Sequence, residues 1–171
     1  IEQPDVDGNN VSLQSVIEKS GNKYVLLDFW ASWCGPCMGE MPYLRDAYAK
    51  YHKKGFEIFG VSFDSKAEAW KGAIAKQNMK WVNVSLLQSF QNEAAEAYVV
   101  ESIPTNFLID CATGEIIAKN LRSEAVEAKL KEQIFVIGEK LSIRRFMVID
   151  GVTSTYVHGM GSIGVVTLFD T

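Results

Sequence analysis

The chain has 171 residues, 47% hydrophobic and 22% charged, with a formal net charge of −4. That is enough apolar material for one compact domain with a sizeable core and an appendage, and an acidic balance with no basic stripe excludes a nucleic-acid footprint. Two histidines and three cysteines leave a tetrahedral zinc site short of ligands, so no metal is expected, and no apolar run reaches the roughly 18 residues of a membrane span.

The chain begins at Ile1 rather than Met and reads as a mature or trimmed product, which leaves an upstream export signal or domain open. Residues 4–13 predict a short hairpin around the turn chemistry of Asp7-Gly8. Ser12 or Ser15 then caps a short helix through Ile17, and Ser20-Gly21-Asn22 is a turn. Residues 24–30 are apolar except for Asp28, the pattern of a central strand buried on both faces. The next helix runs over 36–52, with Met41, Leu44, Tyr48 and Tyr51 marking its core face, Pro42 expected to kink it and Gly55 ending it. A second buried strand at 56–63 makes this a right-handed parallel βαβ unit.

Residues 65–77 predict an amphipathic helix capped by Asp64 or Ser65, followed by a short extended piece at 81–84 and a helix over 90–97. A strand at 106–110 turns through Cys111-Ala112-Thr113-Gly114 into an antiparallel partner at 115–118, and Ser123 caps a helix over 123–133. The fold class is therefore α/β, a mixed sheet with helices on both faces. From residue 135 the composition shifts to Val, Ile, Thr and Gly, predicting strands at 143–148 and within 153–169 with Gly151 and Gly159-Met160-Gly161 at turns. The domain division is 1–134 and a β-rich extension over 135–171, read equally as an appendage, an element swapped in a dimer or a reading-frame artefact. Gly159-Met160-Gly161-Ser162-Ile163-Gly164 fits GxGxxG, but a dinucleotide site needs a following helix and only seven residues remain after Gly164.

The chemistry concentrates at Trp33-Cys34-Gly35-Pro36-Cys37, where the central strand runs into a helix. A cysteine at a helix N-terminus meets unpaired N–H groups and the positive end of the helix dipole, which favours the thiolate. Cys34 takes that position, and Pro36 falls in the first helical turn, where its missing N–H costs nothing. Cys37, one turn in, should be less exposed. Cys34 is thus the attacking thiol and Cys37 the resolving one; two reduced core cysteines are the plainer reading, which the flanking Trp33, Gly35 and Pro36 oppose. Asp28 in a doubly buried strand should have a raised pKa and be able to hold and release a proton. Glu40, three residues after Cys37, either reaches the sulfurs or is a solvated acid at the helix start. Cys111 reads as an inert surface thiol ahead of a third redox centre, with oxidation or dimer cross-linking left open, and His52 as a solvated residue at a helix C-terminus; Trp30 should pack in the core and Trp33 lie on the surface beside Cys34.

Trp33-Cys34-Gly35-Pro36-Cys37 is similar to the thioredoxin active site, and Ile103-Pro104-Thr105 resembles the loop that sets a cis-proline against it. Residues 4–134 most resemble the extracytoplasmic TlpA/ResA-like thiol-disulfide oxidoreductases. Phe29-Trp30-Ala31-Ser32-Trp33-Cys34 is common wording there, Glu40 matches an acid just after the CxxC, and Ile103 lies 39 positions after Asp64, room for an inserted strand and helix. The resemblance implies a thioredoxin-like mixed β-sheet flanked by helices, with an N-terminal hairpin and a central βα insertion. It implies Cys34 as nucleophile, Cys37 as resolver, Asp28 as buried acid and Pro104 as a substrate-contacting cis-proline, with Trp33, Gly35, Pro36, Ile103 and Thr105 around it. The redox-active Cys34–Cys37 disulfide would stand in place of any cofactor. The implied partners are disulfide-bearing substrate proteins and an upstream membrane or periplasmic electron donor, and the implied location is periplasmic or membrane-anchored facing the periplasm. Gly35-Pro36 points to the reducing end of the range, near about −270 mV rather than about −120 mV. One departure is Gly60, where thioredoxins place a lysine near the buried acid. A peroxiredoxin-like peroxide reductase would need a threonine a few residues before its cysteine, and Ala31-Ser32-Trp33 has none. A redox-dead adaptor binding through Trp33 and Pro104 is opposed by the intact cysteines.

Overall fold

The structure, a computed structural model, describes the backbone of residues 1–139, 153–158 and 163–168, with side chains through Ile134. The organising strand is β3 (Tyr24–Trp30), all seven of whose residues are buried. A strand covered on both faces has no reason to alternate polar and apolar residues, which is why it reads as a nearly unbroken apolar run. Parallel to it lie β4 (Phe56–Ser62) and, beyond, β5 (Val82–Val84); antiparallel on the other side lie β6 (Thr105–Asp110) and β7 (Ile116–Lys119). The order β5-β4-β3-β6-β7 is the mixed sheet expected from the sequence.

Helix α2 (Gly35–Tyr51) links β3 to β4 and buries Cys37, Met41, Leu44, Ala47 and Tyr51, one face at three- and four-residue spacing. It runs through Pro42 without a break and passes into a 3-10 turn at His52–Lys54. Gly55 ends that turn at φ +100, where a Cβ would meet the Gly21 carbonyl at 2.7 Å. His52 is not simply solvated: its ring stacks on Tyr48 at 4.4 Å and Nδ1 lies 3.2 Å from the Phe56 carbonyl oxygen. At the N-terminus β1 (Glu2–Pro4) pairs antiparallel with β2 (Asn10–Ser12), and Ser12 caps α1 (Leu13–Ile17) by accepting the Ser15 N–H. This hairpin covers the β5 edge: Ser85 N–H donates to the Pro4 carbonyl at 3.1 Å, and buried Gln3 pairs with the Asn92 side chain at 2.6 Å.

Three local expectations are corrected. Helix α3 (Ala67–Gln77) starts after Lys66 with no side-chain cap, because the Asp64 carboxylate is engaged elsewhere. It is buried, and it accepts the Ser32 N–H at 2.9 Å, the Ser32 hydroxyl at 2.5 Å and the Ser62 hydroxyl at 2.7 Å. A buried carboxylate is satisfied by strong donors first, and here they are Ser62, two residues back, and Ser32, just past the end of β3. The helix expected over 90–97 is instead a 3-10 turn (Ser89–Gln91) and a short α4 (Glu93–Ala97) capped by Asn92, which accepts the Ala94 N–H. Ser123 does not cap α5 (Glu124–Glu139): it sits at φ +50, and its N–H and hydroxyl both turn to Glu40.

The chain forms two compact units, 1–135 and 136–171. Within the second, β8 (Thr153–His158) and β9 (Ile163–Leu168) pair antiparallel in register from Thr153 with Leu168 to His158 with Ile163. The strand expected at 143–148 and the turns at Gly151 and 159–161 lie outside the described residues. Among the described residues no helix is long and apolar enough to cross a membrane.

The Asp64 staple sets up a stability prediction. Asp64→Ala leaves the Ser32 and Ser62 donors unpaired and should cost about 2–4 kcal/mol in urea denaturation.

Candidate active site

At the end of β3 the chain passes from a buried strand into the first turn of α2. Cys34 is the N-cap, in extended conformation, and its Sγ accepts the Cys37 N–H at 3.2 Å. Cys34 and Cys37 are joined as a disulfide of 2.03 Å, with Cα atoms 5.2 Å apart. Cys34 is 5% exposed and Cys37 1%, the order expected for an outer and an inner sulfur. The helix N-terminus that stabilises Cys34 Sγ in this bond is placed to stabilise its thiolate once the bond opens. Gly35 and Pro36 are exposed. Trp33 stands 58% exposed beside the pair, while Trp30 is buried in the core.

Across from the pair, the Ile103–Pro104 peptide bond is cis. The Ile103 carbonyl oxygen lies 3.8 Å from Cys34 Sγ, and the Thr105 hydroxyl holds the loop by donating to the Ser102 carbonyl at 2.8 Å. The loop between β7 and α5 clamps this region from behind. Arg122 donates to the Pro104 and Leu121 carbonyls. The Asn106 side chain takes the Leu121 N–H at 2.8 Å and returns a bond to the Leu121 carbonyl at 3.0 Å. Nothing in the local pattern singles out Arg122, since a basic residue just before a helix is ordinarily solvated.

Behind the disulfide lies one transverse row of the sheet: Asn83, Gly60, Asp28 and Asn106 stand opposite one another on β5, β4, β3 and β6. Asp28 is buried. Loss of hydration drives its pKa up to about 7; Arg122 and a hydrogen bond from Asn106 pull it down, and Glu40 pushes it up. The positive neighbour absent at Gly60 is therefore supplied by Arg122. A Cβ at residue 60 would lie 2.6 Å from Asn83 Oδ1 and 3.1 Å from Trp30 Nε1. Those two atoms are buried and have no partner among the described residues. Glu40 is corrected from its expected role: its carboxylate accepts the Ser123 N–H at 2.6 Å and bonds the Ser123 hydroxyl at 3.5 Å. It makes no hydrogen bond to either sulfur among the described residues, and it joins α2 to the start of α5.

Cys111 stands after β6, whose Asp110 pairs with Tyr24 at the opposite end of β3 from the disulfide. It is half-buried rather than a surface thiol, and burial, with Asp110 adding, pushes it up to about 11, so little thiolate forms at neutral pH. Among the described residues no group of three or more His, Cys, Asp or Glu side chains is placed to hold a metal ion.

The AhpC/TSA family model matches residues 1–119. The chain belongs to the AhpC/TSA family. Thiol-disulfide oxidoreductase ResA of Bacillus thuringiensis subsp. konkukian (strain 97-27) is 32% identical over 130 residues, 76% of this chain and 70% of that protein. Tryparedoxin of Trypanosoma brucei brucei is 37% identical over 119 residues, 68% of this chain and 78% of tryparedoxin. Among solved structures, a thiol-disulfide oxidoreductase from Bacteroides fragilis NCTC 9343 shares 36% identity at a TM-score of 0.70, covering 78% of this chain and 96% of that one. A thiol:disulfide interchange protein from Bacteroides sp. shares 37% at 0.71, covering 82% and 88%. The fold of this AhpC/TSA member is thus thioredoxin-like, and ResA and both solved structures are named for thiol-disulfide oxidoreduction or interchange.

A second family model, Elongation factor TS, matches residues 84–171. It overlaps the first over 84–119, where β6 and β7 complete the five-stranded sheet. Residues 120–171 fall within the second match alone.

The buried acid makes a pH prediction. The folded state holds the Asp28 proton up to about pH 7, whereas the unfolded chain releases it near pH 3.9. Stability contributed by the protonated form is therefore complete below pH 3.9 and lost as pH rises through 7. Asp28→Asn, uncharged throughout, should exceed the wild type by roughly 2–4 kcal/mol at pH 8 and by little at pH 4, read from urea denaturation of the oxidised protein.

Proposed function

We propose that this chain is a protein-disulfide reductase in which Cys34 attacks and Cys37 resolves. The observation that carries the reading is Cys34 Sγ capping α2 and accepting the Cys37 N–H, with the cis-Pro104 loop against it. In the reduced protein the Cys34 thiolate attacks one sulfur of a substrate disulfide, and the other substrate sulfur leaves as a thiolate. Cys37 then gives up its proton, attacks Cys34 Sγ and releases the second substrate thiol, leaving the Cys34–Cys37 disulfide. Asp28, with a pKa of about 7, is half-ionised near neutrality and suited to receive the Cys37 proton and return it when the pair is reduced. The substrate contacts are Trp33, Gly35, Pro36, Ile103 and Pro104, with Thr105 holding the loop. Two electrons pass in each turn and no cofactor beyond the cysteine pair is needed.

The proposed partners are disulfide-bearing proteins and, upstream, a membrane or periplasmic dithiol donor, in an extracytoplasmic compartment. The domain boundary near residue 134 belongs to this proposal, since every residue invoked precedes it. A peroxide-reducing role has one observation behind it, the AhpC/TSA match. Against it, the Ser32 hydroxyl near the cysteine is held by Asp64 at 2.5 Å, so it is not free to assist at Cys34.

Cys34→Ser should abolish insulin-disulfide reduction, and Cys37→Ser should accumulate mixed disulfides visible on non-reducing gels. A reduction potential above about −180 mV would count against the reductant assignment. A chain ending at residue 139 should reduce insulin within about twofold of the full chain, since residues 140–171 supply none of these groups.

A further inference from the structure

We infer that Phe90, with Trp33, forms an aromatic ledge that selects the substrate polypeptide by seating an apolar side chain near its reacting cysteine; this rests on the disulfide-reductase reading above. Trp33 is 58% exposed and Phe90 40%, and their ring centroids are 6.4 Å apart. Other large apolar side chains reach solvent, but Trp33 is the residue bonded to Cys34, and Phe90 stands beside Trp33. Contiguous exposed aromatic surface is what marks an interaction site.

The ledge is anchored from below. Phe90 packs on buried Phe63 at 4.8 Å, and Phe63 on buried Phe29 at 5.6 Å, so a run of rings leads from the core to the surface and ends at Trp33. The turn that carries Trp33 is held by the bonds from Ser32 to Asp64. The turn leading to Phe90 is tied to the same place: the Ser85 hydroxyl donates to the Ser62 carbonyl at 3.0 Å and accepts the Leu87 N–H at 3.1 Å. Residues 62–64 therefore hold both halves. A surface ordered before binding loses little entropy when a ligand settles on it.

The occupant follows from continuity with the reactive sulfur. Cys34 is only 5% exposed, so a disulfide that reaches it must press against the neighbouring surface, and Trp33 is the adjacent residue. A small disulfide touches the sulfurs alone. A polypeptide extends past them, and rings without charged groups favour an apolar side chain there.

The test compares the full chain and Phe90→Ser on insulin and on 5,5′-dithiobis(2-nitrobenzoate). The expected result is a KM for insulin raised about tenfold, with the rate on the small disulfide within twofold of wild type. Phe90→Tyr, which keeps a ring, should hold the wild-type KM. A second measurement uses the wild type alone, on two disulfide peptides with Phe or Ser beside the cysteine, where the Phe peptide should have the lower KM. An unchanged KM for insulin, equal losses on both substrates, or no preference between the peptides would overturn the proposal. So would sedimentation showing that the wild type dimerises and Phe90→Ser does not, since a second copy would then cover the ledge. Failure of the wild type to reduce the small disulfide would instead defeat the underlying reductase reading.

Discussion

Everything at this site depends on the hand-off from β3 to α2. The strand is buried along its whole length and registered to neighbours on both sides, so its end cannot shift without disturbing the core. That fixed end sets Cys34 at the helix N-terminus, where the amide of Cys37 meets its sulfur. The helix is equally committed, through a buried face that reaches Tyr51. In the reductase reading, the sulfur assigned to attack is therefore held by both elements, and what favours its thiolate is its placement at the helix N-terminus.

Features written in consecutive residues were legible in the sequence. The apolar run of β3, the face of α2, the Trp33-to-Cys37 motif and the Asp7-Gly8 hairpin all obey local rules. What escaped joins residues far apart in the chain. Asp64 has the spacing of a helix cap, yet it bonds Ser32, 32 positions away. Ser123 looks like a cap for α5, yet it meets Glu40 across 83 positions. Arg122 and Phe90 gain their roles from the Pro104 carbonyl and from Trp33. In each case a polar or aromatic group with a plausible local use found a stronger partner through the fold. The resemblance to a family supplied the cis Pro104; the residues alone do not, since most X–Pro bonds are trans.

The thioredoxin-like domain has a buried core and a dense long-range hydrogen-bond set, and every group with a chemical role in the reductase reading lies in it. The elongation factor TS match adds the β8–β9 hairpin in a separate compact unit. The overlap of the two models over 84–119 falls on residues that the five-stranded sheet needs, so the architecture there is that of the first family.

Gly60 constrains what this site can become. Asn83 Oδ1 and Trp30 Nε1 occupy the space that a side chain at 60 would enter, so both would have to give way to any residue larger than glycine there. The cation beside Asp28 instead belongs to Arg122, which also grips the Pro104 carbonyl. Proton affinity and loop geometry thus share one guanidinium. A change at residue 122 therefore reaches both at once: without the guanidinium the Pro104 carbonyl loses a donor and the buried acid loses a cause that lowers its pKa.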